Sequence, residues 1–210
     1  KGRSKDDALN VKVAAFYNYR QDPQLKGWIT DKVDDKAETF VGFIDNAGSG
    51  RGYGLEIETN YQLNENIELY YTLGYLRTKI KDYIVRNESG PDFDMHNRAM
   101  AHAPKYQFSA GANYQADNGL FAGIEFAGKD EFYFSDSHNE QSDSYVVTNV
   151  NLGYQGEEWQ VNLWARNLFD KDYATRGFFF GNDPRDEYAP HNYIQHGEPQ
   201  VFGINLELTL

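Results

Sequence analysis

The stretch from Trp159 to Phe169, WQVNLWARNLF, decides the fold. Trp159, Val161, Leu163, Ala165 and, after Asn167, Phe169 occupy one set of alternate positions. Gln160, Asn162, Trp164, Arg166 and Leu168 occupy the other. Successive side chains of a β-strand point to opposite faces, so this two-residue period describes a strand with one apolar face and one largely polar face. An amphipathic helix would need a period of about 3.6 residues, which the stretch lacks.

The same period recurs outward from this stretch. Phe202, Ile204, Leu206, Leu208 and Leu210 alternate with Gly203, Asn205, Glu207 and Thr209. Tyr106, Phe108, Ala110, Ala112 and Tyr114 alternate with Gln107, Ser109, Gly111, Asn113 and Gln115. Val11–Tyr19, Tyr53–Leu63, Ile67–Tyr75, Leu120–Phe134 and Tyr145–Tyr154 follow the rule, although Tyr70 and Leu76 fall on a nominally polar face. About eight strands are expected on this criterion.

The connections are of two kinds, and they alternate. Short turns are expected at Asn64-Glu65-Asn66, Asp117-Asn118-Gly119 and Gly156-Glu157-Glu158, where turn-forming residues gather. Longer polar stretches cover roughly 21–40, 85–104, 135–144 and 174–198. In an up-and-down meander this places every tight turn at one end and every long loop at the other, the asymmetry of bacterial outer-membrane barrels.

Composition narrows the alternatives. Hydrophobic residues make up 40% of the 210, and mean hydropathy is −0.74. No apolar run is long enough for a transmembrane helix. The 16 Tyr, 14 Phe and 19 Gly suit strands and turns. A net charge of −12 argues against a nucleic-acid partner. The chain has no cysteine, which removes disulfides, thiolate metal sites and cysteine nucleophiles. KGRSKDD at the start has no apolar segment of the kind a signal peptide carries.

Alternation does not say whether the apolar face meets a soluble core or lipid, and a soluble sandwich is the simpler reading. Aromatic bands favour lipid. Tyr61, Tyr114, Tyr154 and Trp159 fall near short turns on the apolar face, where Tyr and Trp suit a membrane–water interface. Tyr106, Phe132, Phe134, Tyr145 and Phe169 lie toward the other end. A continuous strand from Trp159 to Phe169 would run ~33 Å and project to ~25 Å when tilted, the height of an outer-membrane apolar band. Segments such as 120–134 and 158–173 would also be long for a soluble domain.

The carboxyl third carries a family resemblance. VNLWARNLFDKDYATRGFFFGNDP resembles the penultimate strand of TonB-dependent outer-membrane receptors, with Asn167-Leu168-Phe169-Asp170-Lys171-Asp172-Tyr173 standing at the family's N-L-F-D-x-x-Y. GEPQVFGINLELTL is similar to the closing strand. Asn46-Ala47-Gly48 with Tyr53-Gly54-Leu55-Glu56-Ile57-Glu58 resembles the family's N-A-G…Y-G-x-E-x-E, and Ala103-Pro104-Lys105-Tyr106 its P-x-Y strand opening. Gln200 stands where Arg is usual, and Leu210 where an aromatic is usual.

The resemblance implies an all-β, antiparallel up-and-down transmembrane β-barrel segment of about eight strands, with short periplasmic turns and long extracellular loops. Residues 1–210 would be the carboxyl-terminal portion of the barrel, without the family's plug domain and TonB box. It further implies energised uptake of a scarce nutrient across the outer membrane, most often a ferric siderophore or other iron chelate. The partners would be that chelate, outer-membrane lipid, and the TonB complex acting through the plug. A passive channel or small structural barrel is the alternative.

Candidate ligand residues gather in loop 174–198: Arg176, Phe178, Phe179, Phe180, Arg185, Tyr188 and His191. Arg offers charge to an anionic complex and aromatic rings stack on flat ligands. The other reading is that these aromatics pack the loops against each other. The five histidines lie in expected loops without metal-binding spacing, and no bound metal or cofactor is expected. No nucleophile elbow, P-loop, dinucleotide fingerprint or H-E-x-x-H occurs, so no catalytic residue and no enzyme activity are expected.

Overall fold

The computed structural model of this chain describes residues 2–3, 8–33, 37–85, 92–181 and 183–209. Its wall consists of β1 (Leu9–Gln21), β2 (Ser49–Gln62), β3 (Ile67–Lys81), β4 (Tyr106–Gln115), β5 (Leu120–Lys129), β6 (Tyr145–Gln155), β7 (Trp159–Arg166) and β8 (Val201–Leu208). Each strand pairs antiparallel with the next, and the two-residue strand Gly2–Arg3 adds to the other side of β1. The sheet is therefore an up-and-down meander. Leu210, expected to end the closing strand, lies outside the described residues, as do Lys1 and parts of the first two long loops.

Local chemistry closes the tight turns. Asn64 Oδ1 accepts from the backbone N–H groups of Asn66 and Ile67, each at 2.9 Å. Gly119 adopts a φ of 89°, open to glycine without steric cost, and its N–H reaches Ala116 O at 3.0 Å.

Two expected strands are shorter than their alternation. Leu120–Phe134 does not run through, because β5 stops at Lys129 and Phe132–Tyr133 joins a separate small hairpin with Gln141–Ser142. The interruption is Asp130 and Glu131, whose carboxylates reach Lys105 Nζ at 3.8 and 3.1 Å. β7 ends at Arg166, so Trp159 and Phe169 do not share one strand. Asn167 and Asp170 take left-handed φ values of 47° and 51°, which turn the chain away and leave the Phe169 ring 75% exposed. The longest strands are instead β2 and β3, of 14 and 15 residues. The expected loops 21–40 and 174–198 also contain order: Gln24–Val33 pairs with Ala37–Asn46, and Ala174–Phe180 with His191–His196.

Register makes the two faces continuous. Val13, Ile57, Leu73 and Phe108 are joined in successive cross-strand pairs, as are Leu152, Leu163 and Ile204. Phe202, Ile204, Leu206 and Leu208 are 64–66% exposed, so among the described residues no second sheet covers this face as a sandwich would. The opposite face is polar and concave. A cleft of about 870 Å³ lies along it, lined by Lys12, Glu56, Glu58, Thr72, Gln107 and Lys129 among others. Two of its carboxylates find partners within the wall: Lys12 meets Glu58 at 2.6 Å, and Glu125 accepts from Ser109 Oγ at 2.7 Å and Asn149 Nδ2 at 3.0 Å.

The buried apolar cluster sits at the long-loop end of the wall. Leu25, Ala47, Ile80, Tyr83, Val85 and Met95 form it, with Phe43, Phe93 and Met100 packed against them. It ties the loop after β1 to the loop after β3.

Candidate functional site

The hairpin after β7 is built at its base by Asn167, which is 3% exposed. Its Nδ2 donates to Lys171 O and Glu198 O at 2.9 Å, and its Oδ1 accepts from Lys171 N at 2.8 Å. Asp170 Oδ1 accepts from Gln200 N at 3.1 Å, while Gln200 Nε2 donates to Leu168 O at 2.5 Å. The Asn-Leu-Phe-Asp stretch thus clamps both ends of the hairpin together. The glutamine that departs from the usual arginine belongs to this clamp.

Cross-strand register sorts the candidate residues. Phe178 opposes Tyr193, Arg176 opposes Gln195, and Phe180 opposes His191, all on one face. There the Arg176 guanidinium lies 4.9 Å from the Phe178 ring centroid, and the Phe180 and Tyr193 rings stack at 4.7 Å. Phe178 is 43% and Tyr193 37% exposed. Gly177 and Phe179 point to the other face, which packs on the loop after β5: Phe134 lies against Gly177, and the His138 and Phe179 rings are 5.8 Å apart. The three phenylalanines therefore divide. Phe179 packs between loops, while Phe178 and Phe180 face outward with Arg176.

Arg185 and Tyr188 do not join that surface, and His191, opposite Phe180 on it, is engaged with Asp186. Arg185 grips the Asp183 carboxylate through Nε and Nη2 at 2.6–3.1 Å, which holds the Asp183 carboxyl below its usual range. His191 Nε2 lies 2.5 Å from Asp186 Oδ2. Tyr188 follows the short 3-10 turn Pro184–Asp186 with a left-handed φ of 59°. These side chains shape the hairpin tip.

The loops after β3 and β5 interlock around a group that sequence reading missed. Arg98, 8% exposed, donates through Nη2 to Ser135 O at 2.6 Å and through Nη1 to His138 O at 2.5 Å and Asn139 Oδ1 at 3.1 Å. Its guanidinium lies 4.2 Å from the Tyr133 ring centroid and 3.6 Å from Asp136 Oδ1. Burial lowers the Arg98 pKa and raises that of Asp136; the Ala101 N–H and Arg98 restrain the latter shift. Burial, and then the Arg98 charge, push His138 down to about 4. Nothing about Arg98 in a polar stretch marks it out, because its partners are mostly backbone carbonyls some forty residues away.

The aromatics expected near the short turns do share one end of the apolar face. Tyr61, Tyr114, Tyr154 and Trp159 are 37–43% exposed, and the Tyr154 and Trp159 rings are 5.3 Å apart. At the other end the sequence reading needs correcting. Phe132 and Phe134 are 2% and 4% exposed inside the loop cluster, and Tyr145 lies on the polar face, 4.3 Å from Tyr173. The outward rings at that end include Tyr17, Tyr19, Tyr53 and Tyr106. Among the described residues, no group of three His, Cys, Asp or Glu side chains is placed to hold a metal ion.

The sequence model of the family described as "TonB dependent receptor-like, beta-barrel" matches residues 3–168. The pesticin receptor of Yersinia pestis is 22% identical over 181 residues, covering 83% of this chain and 24% of the receptor. The siderophore receptor PiuA from Acinetobacter baumannii superposes with a TM-score of 0.70 at 19% identity, over 97% of this chain and 26% of that one. The copper transporter OprC gives 0.67 at 18% identity, over 96% and 29%. At such identities the solved structures speak for the fold alone. The chain spans about a quarter of the length of these relatives.

Proposed function

We propose, since this chain belongs to the TonB-dependent receptor-like β-barrel family, that it forms wall and loops of an outer-membrane receptor importing an iron chelate with energy supplied through TonB. The family is one of Gram-negative outer-membrane transport receptors, not enzymes. The observation that carries the substrate class is the outward face of the Ala174–Phe180/His191–His196 hairpin. It sets the Arg176 cation beside the Phe178 ring and the stacked Phe180–Tyr193 pair. A flat, anionic metal chelate meets both chemistries at once: charge from arginine and stacking from the rings.

In this reading the exposed apolar face meets lipid, the tight turns lie in the periplasm, and the long loops face outside. Tyr61, Tyr114, Tyr154 and Trp159 then mark the periplasmic interface. The residues of this chain bind and enclose the ligand; no covalent step is asked of them.

The test uses the full-length receptor in a strain deleted for it. Uptake of radiolabelled iron is followed for a panel of single chelates, with and without TonB. At least one chelate should accumulate in a TonB-dependent manner, and Arg176→Ala with Phe178→Ala should reduce it tenfold or more. Normal uptake of every chelate by the deletion strain would refute iron import.

A further inference from the structure

The tight turn between β4 and β5 holds the one Asn-Gly pair of the chain, Asn118-Gly119. Such a pair is chemically distinctive. A backbone nitrogen can attack the side-chain carbonyl of the asparagine before it, and glycine, with no side chain to crowd the ring that forms, hinders that attack least. The asparagines of the first tight turn are followed by Glu65 and Ile67 instead, whose side chains stand in the way. Asn118 is also exposed, so water for the later hydrolysis is at hand.

The fold demands this glycine. Its φ of 89° lies in the left-handed region, and a Cβ added there would sit 2.2 Å from Gln155 O at the end of β6. The same turn restrains the reaction that the glycine invites. Gly119 N–H donates to Ala116 O at 3.0 Å, so the attacking nitrogen keeps its proton on a carbonyl. Gly119 O accepts from Gln155 N at 2.8 Å, and Ala116 N donates to Leu120 O at 2.8 Å, which closes the turn on both sides. Asn118 Oδ1 accepts from Leu120 N at 3.1 Å, which holds the side chain in one orientation. Ring closure needs the peptide between Asn118 and Gly119 to rotate, and that rotation breaks these bonds. Reaction through an opened turn proceeds only in proportion to the population of the open form.

We propose that Asn118 is a folding-gated modification site, deamidated to isoaspartate in chains that stay unfolded and protected once β4, β5 and β6 have closed the turn. In the unfolded chain Gly119 N loses its proton and bonds to Asn118 Cγ. The Cγ–Nδ2 bond breaks, and the amide nitrogen leaves with that proton as ammonia. Water then opens the five-membered ring at one of two carbonyls. Opening at the Asn118 backbone carbon leaves the chain running through Cγ as isoaspartate; opening at Cγ gives aspartate. Neither step needs an oxidant or a reductant. Isoaspartate adds one carbon to the backbone and one negative charge within the turn. Gln115 and Phe121, the first pair beyond it, are then no longer joined by a turn of the required length. A chain that ages before folding is thereby marked and barred from closing the β4–β5 hairpin. The inference goes beyond ligand uptake and does not depend on it.

The test compares the full-length receptor folded in detergent with the same receptor unfolded in guanidinium, both held at mildly alkaline pH in heavy-oxygen water. Peptide mass spectrometry, with fragmentation that separates isoaspartate from aspartate, reads position 118. The unfolded receptor should modify Asn118 at least tenfold faster than the folded one, and faster than any other asparagine. Equal rates in the two states, or faster modification elsewhere in the unfolded chain, would overturn the proposal. The aged unfolded pool is then refolded and separated by heat-modifiable gel migration. Isoaspartate at position 118 should be depleted at least fivefold in the folded band; equal content in both bands would overturn the barrier to folding. Asn118→Ser keeps an oxygen for Leu120 N–H but has no amide to lose, so it should refold after ageing as well as when fresh. A loss on ageing as large as that of the unmodified receptor would count against the proposal. If this variant does not fold when fresh, the two comparisons on the unmodified receptor decide the matter. Uptake of iron chelates enters neither readout.

Discussion

Tyr70 on β3 lies across Gly111 on β4, its direct partner in register, on the concave polar face. The relationship repeats along the wall. Phe16 lies over Gly54, Phe121 over Gly153, and Trp164 over Gly203, again between direct cross-strand partners. These four pairs on the polar face join β1–β2, β3–β4, β5–β6 and β7–β8, the strand pairs linked by long loops; on the apolar face Phe108 lies over Gly128 between β4 and β5. A ring laid on a neighbouring glycine covers backbone that would otherwise be bare, and it holds two strands in one register where no tight turn does so.

Gly111→Val should therefore displace the Tyr70 ring and lower stability by about 1–3 kcal/mol, the usual cost of overpacking. Urea unfolding of the detergent-solubilised receptor measures it. Adding Tyr70→Ala should cost less in the Gly111→Val background than alone, since the two residues are coupled. Additive losses would show that the ring and the glycine act independently.

Asn167→Ala should loosen the hairpin after β7 without disturbing the wall. Three hydrogen bonds at the hairpin base disappear, and part-buried backbone groups lose their partners at a cost of about 1–3 kcal/mol. Limited proteolysis should cut between residues 174 and 198 at least tenfold faster, while heat-modifiable migration of the barrel stays unchanged. Equal cleavage rates would remove the clamp assignment.

Phe178→Ala and Phe179→Ala should separate binding from packing. Phe178 faces outward beside Arg176 and Phe179 packs toward His138. The first change should weaken ligand uptake several-fold with hydrogen exchange in the loop after β5 unaltered. The second should raise that exchange. The opposite pattern would reverse the two faces.

The interlocked loops should open as pH falls. His138 has a pKa of about 4 in the closed loops against about 6.5 when released. The open form thus binds more protons between those values. The His138 contribution is fully present above pH ~6.5 and is lost as pH drops toward ~4, a change on the order of 3 kcal/mol. His102, lowered by burial, acts in the same direction, and Asp136, raised by burial, acts against it. A fluorophore on Asp143→Cys, in a chain with no other cysteine, should report increasing solvent contact over that window. His138→Gln should flatten the response.

Legibility in the sequence followed the range of the interactions. Alternation in WQVNLWARNLF and in Phe202 to Leu208 marked strands because side-chain direction in a strand depends on nothing beyond position. The same logic placed Tyr61, Tyr114, Tyr154 and Trp159 on one face, and even put Tyr70 correctly among the polar positions. It overran at Phe169 and at Phe132 to Phe134. There the alternation continues while the backbone does not: Asn167 and Asp170 turn the chain, and Asp130 and Glu131, held by Lys105, end β5 at Lys129. Alternation records side chains and carries no information on backbone turns.

What the sequence by itself determined was a meander of strands with one apolar face, short turns at one end and aromatic loops at the other. Tertiary structure alone decided which of Phe178, Phe179 and Phe180 faces out, because that depends on pairing with residues 191–195 and on the loop after β5. It alone brought Arg98 to Ser135, His138 and Asn139, and Gln155 to Gly119. A strand's period is written in neighbouring residues, but register joins residues tens of positions apart, and only the folded chain sets which of them meet.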